Sequence, residues 1–108
     1  MRFDYKSAHS LEGKNVIVTG AGGNLGAEIC RGLTAMGAAV LATDVAVEKG
    51  TAIVEELTAA GANAHFLEHD VTDEAQWEAA VATAVEKLGG LNGVVNNAAI
   101  VPMNYLRA

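Results

Sequence analysis

The stretch that decides the fold is Asn15-Val16-Ile17-Val18-Thr19-Gly20-Ala21-Gly22-Gly23-Asn24-Leu25-Gly26. It begins with a β-branched run that ends at a glycine, and such a run predicts a short buried strand. Four glycines follow within seven residues, and apolar residues then return with the spacing of one helix face, at Leu25, Ile29, Leu33 and Met36. The stretch therefore predicts a strand, a tight glycine-rich turn and a helix.

The glycine-rich turn favours a dinucleotide phosphate as its ligand. Gly20 permits a tight turn with positive φ, and Gly22 and Gly23 are expected to expose backbone N–H groups. Gly26 is expected to let the helix pack closely on the sheet, with the positive end of the helix dipole beside a pyrophosphate. Taken alone, the same pattern also fits an ordinary strand–helix turn. The candidate phosphate-binding residues are Gly20, Gly22, Gly23, Asn24, Leu25 and Gly26.

The rest of the chain repeats the alternation of strand and helix. Apolar runs predict strands over residues 39–43, 64–69 and 91–96, and helical spacing predicts a helix over residues 47–60. A further helix is expected to have Thr72 as its N-cap and to end at residues 89–90. Its apolar face is expected to comprise Trp77, Val81, Ala84, Val85 and Leu88. The order β-α-β-α-β-α-β predicts an α/β fold with a Rossmann-like, doubly wound parallel sheet that stops after its fourth strand.

Composition and charge exclude several classes of protein. Apolar residues make up 51% of the 108 residues and charged residues 19%, which indicates a folded chain rather than a disordered one. The net charge of −6 argues against nucleic acid as the partner, and no basic run suggests a membrane surface. The longest apolar run, residues 38–42, is too short for a transmembrane helix. The single cysteine, Cys30, favours a reducing, cytoplasmic compartment.

An acidic residue stands where a dinucleotide-binding fold needs one. Asp44 ends the second predicted strand, eighteen residues after Gly26, close to the ~20-residue spacing of the acid that binds the adenosine ribose. The alternative is that Asp44 caps the following helix, and one carboxylate can serve both purposes.

With these residues in view, the chain from Leu11 to Ile100 resembles the short-chain dehydrogenase/reductase family. The resemblance implies the strand order 3-2-1-4. It also implies that Asp44 binds the adenosine ribose, that the Asp70 side chain meets the adenine amino group, and that the backbone N–H of Val71 meets the adenine ring.

A further match follows the fourth strand. Asn96-Asn97-Ala98-Ala99 resembles the family's Asn-Asn-Ala-Gly motif, which implies that Asn97 and Ala98 lie against the ribose while Asn96 braces the strands. The glycine spacing fits the extended subfamily as well, because Asn24 replaces the middle glycine of the classical pattern. The matches at Asp44, Asp70 and Asn96 point to the classical type.

The family's catalytic residues have no counterpart in these 108 residues. The family uses a Tyr-x-x-x-Lys helix and an upstream Ser, and neither Tyr5 nor Tyr105 is followed by a lysine four residues on. We therefore expect residues 1–10 to be a leader and residues 11–108 to be the NAD-binding, N-terminal part of a larger domain. No catalytic residue is assigned.

Other chemistry-bearing residues are expected to be structural. His65 and His69 stand too far apart on one strand, at ~3.3 Å per residue, to share a metal ion, and we expect no metal site. Cys30 is expected to be a small core residue, and Trp77 to pack against the core rather than stack on a base.

The hypothesis is a portion of a short-chain dehydrogenase/reductase that, when intact, transfers a hydride between NAD(H) and an alcohol or carbonyl substrate. A nucleotide-binding module without catalysis is the alternative, and an S-adenosylmethionine-dependent methyltransferase is a third class. NAD is expected to be preferred over NADP, because Asp44 would face the 2′-phosphate. We also expect self-association through residues 94–96 at an unprotected sheet edge.

Overall fold

A computed structural model describes residues 10–98, which form one four-stranded parallel sheet with three helices. The strand order is β3-β2-β1-β4, so the expected fold class and strand order are confirmed. Residues 1–9 of the expected leader, Ala99 and Tyr105 lie outside the described residues. The elements in chain order are β1 (Asn15–Thr19), α1 (Asn24–Ala35), β2 (Ala39–Asp44), α2 (Val47–Ala59), β3 (Ala64–Glu68), α3 (Glu74–Leu88) and β4 (Gly93–Val95).

The parallel register brings the carboxyl ends of all four strands to one edge of the sheet. Thr19 pairs with Thr43 across β1 and β2, Val18 with Val95 across β1 and β4, and Asp44 with Glu68 across β2 and β3. The segments that follow the strands therefore meet at the same edge, which is where parallel α/β sheets place their ligands.

The core has one layer on each face of the sheet. On one face, α1 and α2 pack Cys30, Ile53 and Leu57 against the β1 and β2 side chains. On the other face, Ala80 and Ala84 of α3 cover Ile17 and Leu41. Cys30 is fully buried, as expected, and burial raises the pKa of its thiol to about 11.

The buried faces of two helices differ from those expected. Leu25 of α1 and the C-cap residue Met36 are exposed, and the buried residues of α1 are Gly26, Ala27 and Cys30. In α3, Val81 and Val85 are exposed, Ala84 is buried as expected, and Ala80 is buried although it was not on the expected face. The small residues allow the helices to approach the sheet closely, so the larger side chains lie at the flanks of the contact.

The start of α3 and the ends of two strands also differ from the positions expected from the sequence. Thr72 is not the N-cap, because its N–H and hydroxyl both donate to Asp70 Oδ1, over 2.9 and 2.6 Å. The N-cap is Asp73, whose side chain accepts from the backbone N–H groups of Ala75 and Gln76. Strand β3 ends at Glu68, so His69 lies beyond it, and β4 spans Gly93–Val95 rather than residues 91–96.

Strand β4 lies at the edge of the described sheet. Within residues 10–98 it pairs with β1 alone, and Val94 is 47% exposed. The self-association expected from this edge stays a prediction. No helix in the described part of the chain is long and apolar enough to cross a membrane.

Candidate functional site

A cleft of about 290 Å³ opens where the strand ends meet. It brings together seven of the eleven residues expected from the sequence and adds Val45 and His69. Of the other four, Gly22 and Asn24 line a neighbouring groove between α1 and α2, Leu25 is exposed, and Gly26 is buried. The cleft is lined by Gly20, Gly23, Asp44, Val45, His69, Asp70, Val71, Asn97 and Ala98.

Two glycines of the turn leave no room for a side chain. Gly20 has a φ of 64°, a conformation that favours glycine, and a methyl group there would lie 3.0 Å from Ala98 Cα. At Gly22 a methyl group would lie 2.8 Å from Lys49 Cβ and 3.0 Å from Asp44 Oδ2. The turn is therefore held closely against both β4 and the start of α2.

The backbone donors of the turn differ from those expected. The N–H of Gly22 donates to Asp44 Oδ2 over 2.8 Å, and that of Gly23 donates to Gly20 O over 3.2 Å. The expectation that both groups are exposed to a phosphate was therefore wrong. They are used to fold the turn.

The donors that remain are at the N-terminus of α1. Gly23 is its N-cap and supplies no side-chain hydrogen bond, and the first N–H groups of an α-helix have no partner within the helix. The N–H groups of Asn24 and Leu25 are therefore the donors of the turn that a ligand could use, at the positive end of the helix dipole.

Asp44 connects the turn to the segment after β2. Its Oδ2 accepts from Gly22 N and its Oδ1 accepts from Ala46 N over 2.9 Å. The N-cap of α2 is Ala46, with no side-chain cap, so the capping alternative for Asp44 was wrong. Each carboxylate oxygen keeps a second lone pair with which Asp44 can accept hydrogen bonds from ribose hydroxyls.

Thr19 joins the ends of β1 and β4 through its hydroxyl, a role that the sequence analysis missed. The Thr19 side chain is fully buried, and its Oγ1 accepts from the N–H groups of Asn97 and Ala98, each over 3.0 Å. It also lies 3.2 Å from Asn96 Oδ1, to which it can donate. The available signal was a polar residue at the end of a buried strand, since buried hydroxyls need partners.

Asp70 and Val71 form the wall of the cleft beyond β3. Hydrogen bonds from the side chain and then the backbone of Thr72 lower the pKa of the Asp70 carboxyl, so it is ionised at neutral pH. Both bonds go to Oδ1. Within residues 10–98, Asp70 Oδ2 and the N–H of Val71 have no hydrogen-bond partner.

His69 is buried at the base of this wall, with 2% of its surface exposed. Its Nδ1 lies 3.0 Å from Thr43 Oγ1, and its ring meets the Trp77 ring edge-on, with the ring centres 4.5 Å apart. Its Nε2 is buried without a partner among the described residues. Trp77 is half-buried and packs against the His69 ring rather than lining the cleft. The sequence analysis did not expect His69 to be a core residue with an unpaired nitrogen.

Burial lowers the pKa of His69 below its ordinary value of 6.5, against the raising effects of Asp70 and Asp73. Unfolded chains take up this proton near pH 6.5 and the folded protein only at lower pH. We therefore expect the free energy of unfolding to fall as the pH drops below 6.5. In thermal melts from pH 7.5 to 5.5, His69→Gln should reduce the dependence of the free energy of unfolding on pH. His65→Gln, which replaces a half-buried histidine, serves as the control and should leave that dependence unchanged. Equal slopes for wild type and His69→Gln would contradict the assignment.

Among residues 10–98, no three His, Cys, Asp or Glu side chains are grouped so that they could hold a metal ion. The cleft is instead built from backbone groups, two carboxylates and an amide side chain, which are ligands for hydroxyl and amino groups.

Comparison with known proteins identifies the family. The family model for short chain dehydrogenases matches residues 14–107. The chain belongs to the short-chain dehydrogenase/reductase family. It is 40% identical over 94 residues to a 2,5-dichloro-2,5-cyclohexadiene-1,4-diol dehydrogenase of Sphingobium indicum, covering 87% of this chain and 38% of that protein. It is 44% identical over 91 residues to a 3-alpha-(or 20-beta)-hydroxysteroid dehydrogenase of Mycobacterium tuberculosis, covering 84% and 34%.

Solved structures of short-chain dehydrogenases/reductases share this fold. A hydroxysteroid dehydrogenase from Escherichia coli superposes with a TM-score of 0.81 and 32% identity, over 91% of this chain and 45% of that one. A family member from Burkholderia phymatum, solved in complex with NAD, gives a TM-score of 0.76 and 28% identity, over 79% and 30%. The chain thus spans less than half the length of these relatives. The family binds a nicotinamide dinucleotide.

Proposed function

We propose that residues 11–108 form the NAD-binding portion of a short-chain dehydrogenase/reductase. The intact protein would transfer a hydride between NAD(H) and an alcohol or carbonyl group of a small-molecule substrate. The observation that carries the proposal is the cleft at the sheet edge, where the glycine turn, Asp44, Asp70 and Val71 lie together. The polar groups of the cleft match the adenosine end of the dinucleotide, and the N-terminus of α1 beside the cleft supplies donors for the pyrophosphate.

The adenosine half of NAD fits the wall formed by the ends of β2 and β3. Asp44 has lone pairs left for the ribose hydroxyls, although both its oxygens already accept one backbone N–H. Asp70 offers Oδ2 to the adenine amino group, and Val71 offers its N–H to a ring nitrogen. Adenine carries one donor and one acceptor side by side, so this pair of groups complements it.

The pyrophosphate fits the end of α1. With the N–H groups of Gly22 and Gly23 engaged in the turn, the phosphate would be held by the N–H groups of Asn24 and Leu25. Gly20 and Gly22 act by keeping the backbone close, because a methyl group at either position has no room. When bound, the nicotinamide supplies the hydride chemistry. The residues of this chain bind and orient the dinucleotide.

The ribose beyond the pyrophosphate would lie against Asn97 and Ala98. Thr19 holds the backbone of both residues over 3.0 Å, and the Asn97 side-chain amide donates to Gly20 O over 3.3 Å. The segment is therefore fixed against the turn before any ligand arrives, which lowers the entropic cost of binding.

NAD binding to the 108-residue chain is the direct test. Calorimetric titration should give one site for NAD, weaker binding of NADP, and no binding of S-adenosylmethionine. The same sample should not oxidise alcohols, because the sequence offers no Tyr-x-x-x-Lys pair and the general acid contribution of ~10²–10⁴-fold is missing. A folded sample that takes up no NAD at millimolar concentration would overturn the proposal.

A further inference from the structure

Two side chains in the first turn of α3 contact Asp70 and Val71, the wall of the cleft that is assigned above to adenine and is called the adenine wall below. Gln76 Oε1 accepts from the backbone N–H of Asp70 over 2.7 Å. Trp77 Nε1 donates to the carbonyl oxygen of Val71 over 2.8 Å. Neither Gln76 nor Trp77 lines the cleft, so these contacts act on the wall from behind.

These bonds leave two groups of the wall free. The helix and the Asp70–Thr72 turn occupy the N–H, the C=O and Oδ1 of Asp70, and the C=O of Val71. Within residues 10–98, Asp70 Oδ2 and Val71 N–H have no partner, and these are the two groups assigned above to adenine. Fixing the other polar groups holds the free pair in one orientation.

Gln76 suits this position because it donates and accepts at once. Its Nε2 donates to Asp73 Oδ2 over 3.2 Å, while the other oxygen of Asp73 caps α3. An N–H group lies on one side of the Gln76 amide and a carboxylate on the other, so the orientation of the amide is fixed by its partners. A carboxylate at position 76 would meet the Asp73 carboxylate instead.

Trp77 extends the contact to the ribose end of the cleft. Its ring packs edge-on against His69, and the His69 backbone N–H donates to the carbonyl oxygen of Asp44 over 3.1 Å. Val71 and Asp44 are thereby connected to the same pair of rings, the buried His69 and the half-buried Trp77.

We propose that Gln76 and Trp77 are positioning residues for the adenine half of the cofactor, and that they act through Asp70 and Val71 without touching the ligand. This inference rests on the proposed function. It assigns to α3 a part in cofactor affinity beyond covering the sheet.

A charge swap between Gln76 and Asp73 tests the proposal. Gln76→Glu should weaken NAD binding by roughly 3- to 10-fold, the equivalent of one net hydrogen bond. In the double variant Asp73→Asn with Gln76→Glu, the amide at position 73 donates to the carboxylate at position 76. Asparagine is as good an N-cap as aspartate. The double variant should therefore recover most of the NAD affinity that Gln76→Glu loses. Ala79→Glu, which adds the same charge on an exposed position one turn later, should leave NAD affinity unchanged.

The hypoxanthine analogue of NAD distinguishes positioning from a general loss of structure. Its oxo group replaces the amino group that Asp70 would accept from, so Gln76→Glu should weaken the analogue by much less than NAD. Equal losses for both ligands, or no loss for NAD, would overturn the inference while wild-type NAD binding upholds the proposed function. Failure of the wild-type chain to bind NAD would overturn both.

Discussion

Gly26→Ala is expected to lower the free energy of unfolding by about 1–3 kcal/mol or more, the range for overpacking a tight site. Gly26 lies on the first turn of α1, and a methyl group there would lie 2.8 Å from Gly20 C and 2.9 Å from Ala21 Cα, and closer still to Gly20 O. All three are backbone atoms, so no side chain can move aside. The helix would have to shift away from the turn.

Gly32→Ala provides the matched control on the same helix. Nothing lies within 4 Å of a methyl group at Gly32, so the replacement should raise the free energy of unfolding by about 0.5–1 kcal/mol through helix propensity alone. Urea unfolding of the three proteins measures both effects, and opposite signs are expected. If Gly26→Ala were as stable as Gly32→Ala, close approach of α1 to the turn would not be the role of Gly26.

The order of elements and the parallel sheet could be predicted because both follow from local pattern, whereas the strand order was implied by the resemblance to the family. The boundaries of the first strand and the first helix are marked within a few residues by the β-branched run at residues 15–19 and by the glycines at 20 and 37. The buried helix faces were harder to predict. In α3, the pattern placed Val81 and Val85 on the buried face beside Ala84, whereas only Ala84 of these three is buried, together with Ala80. The two small residues let the helix approach the sheet.

In the candidate site, too, some features could be predicted before the structure and others could not. The glycine turn and Asp44 could be predicted from pattern and spacing, whereas Asp70, Val71, Asn97 and Ala98 were implied by the resemblance to the family. Their hydrogen bonds could not be predicted, since they join residues far apart in the chain. The N–H of Gly22 was expected to be free, but Asp44, 22 residues later, accepts from it. The link from Thr19 to Asn97 spans 78 residues, and no local pattern predicts it.

Asp44→Ala is expected to weaken NAD binding by roughly 10- to 100-fold, the range for a hydrogen bond to a charged group. The change removes the acceptor for the ribose hydroxyls and also the bonds from Gly22 N and Ala46 N, which lie 2.8 and 2.9 Å from the carboxylate. Both the ligand contact and the shape of the turn are affected. Calorimetric titration with NAD and NADP measures the change.

NADP should lose less than NAD in this variant, because a carboxylate no longer faces the 2′-phosphate. In this variant, the size of the change in the preference for NAD over NADP then depends on Lys49, at the start of α2. Lys49 lies close to Gly22, where a methyl group would come within 2.8 Å of Lys49 Cβ. We therefore expect its ammonium group to attract the 2′-phosphate once the Asp44 carboxylate is gone. Adding Lys49→Ala to Asp44→Ala should therefore reduce NADP affinity again.

Glu48→Gln removes a neighbouring exposed charge without touching the turn, and it should leave the ratio of NAD to NADP affinity as in the wild type. If Asp44→Ala left that ratio unchanged, the carboxylate would not set the cofactor preference.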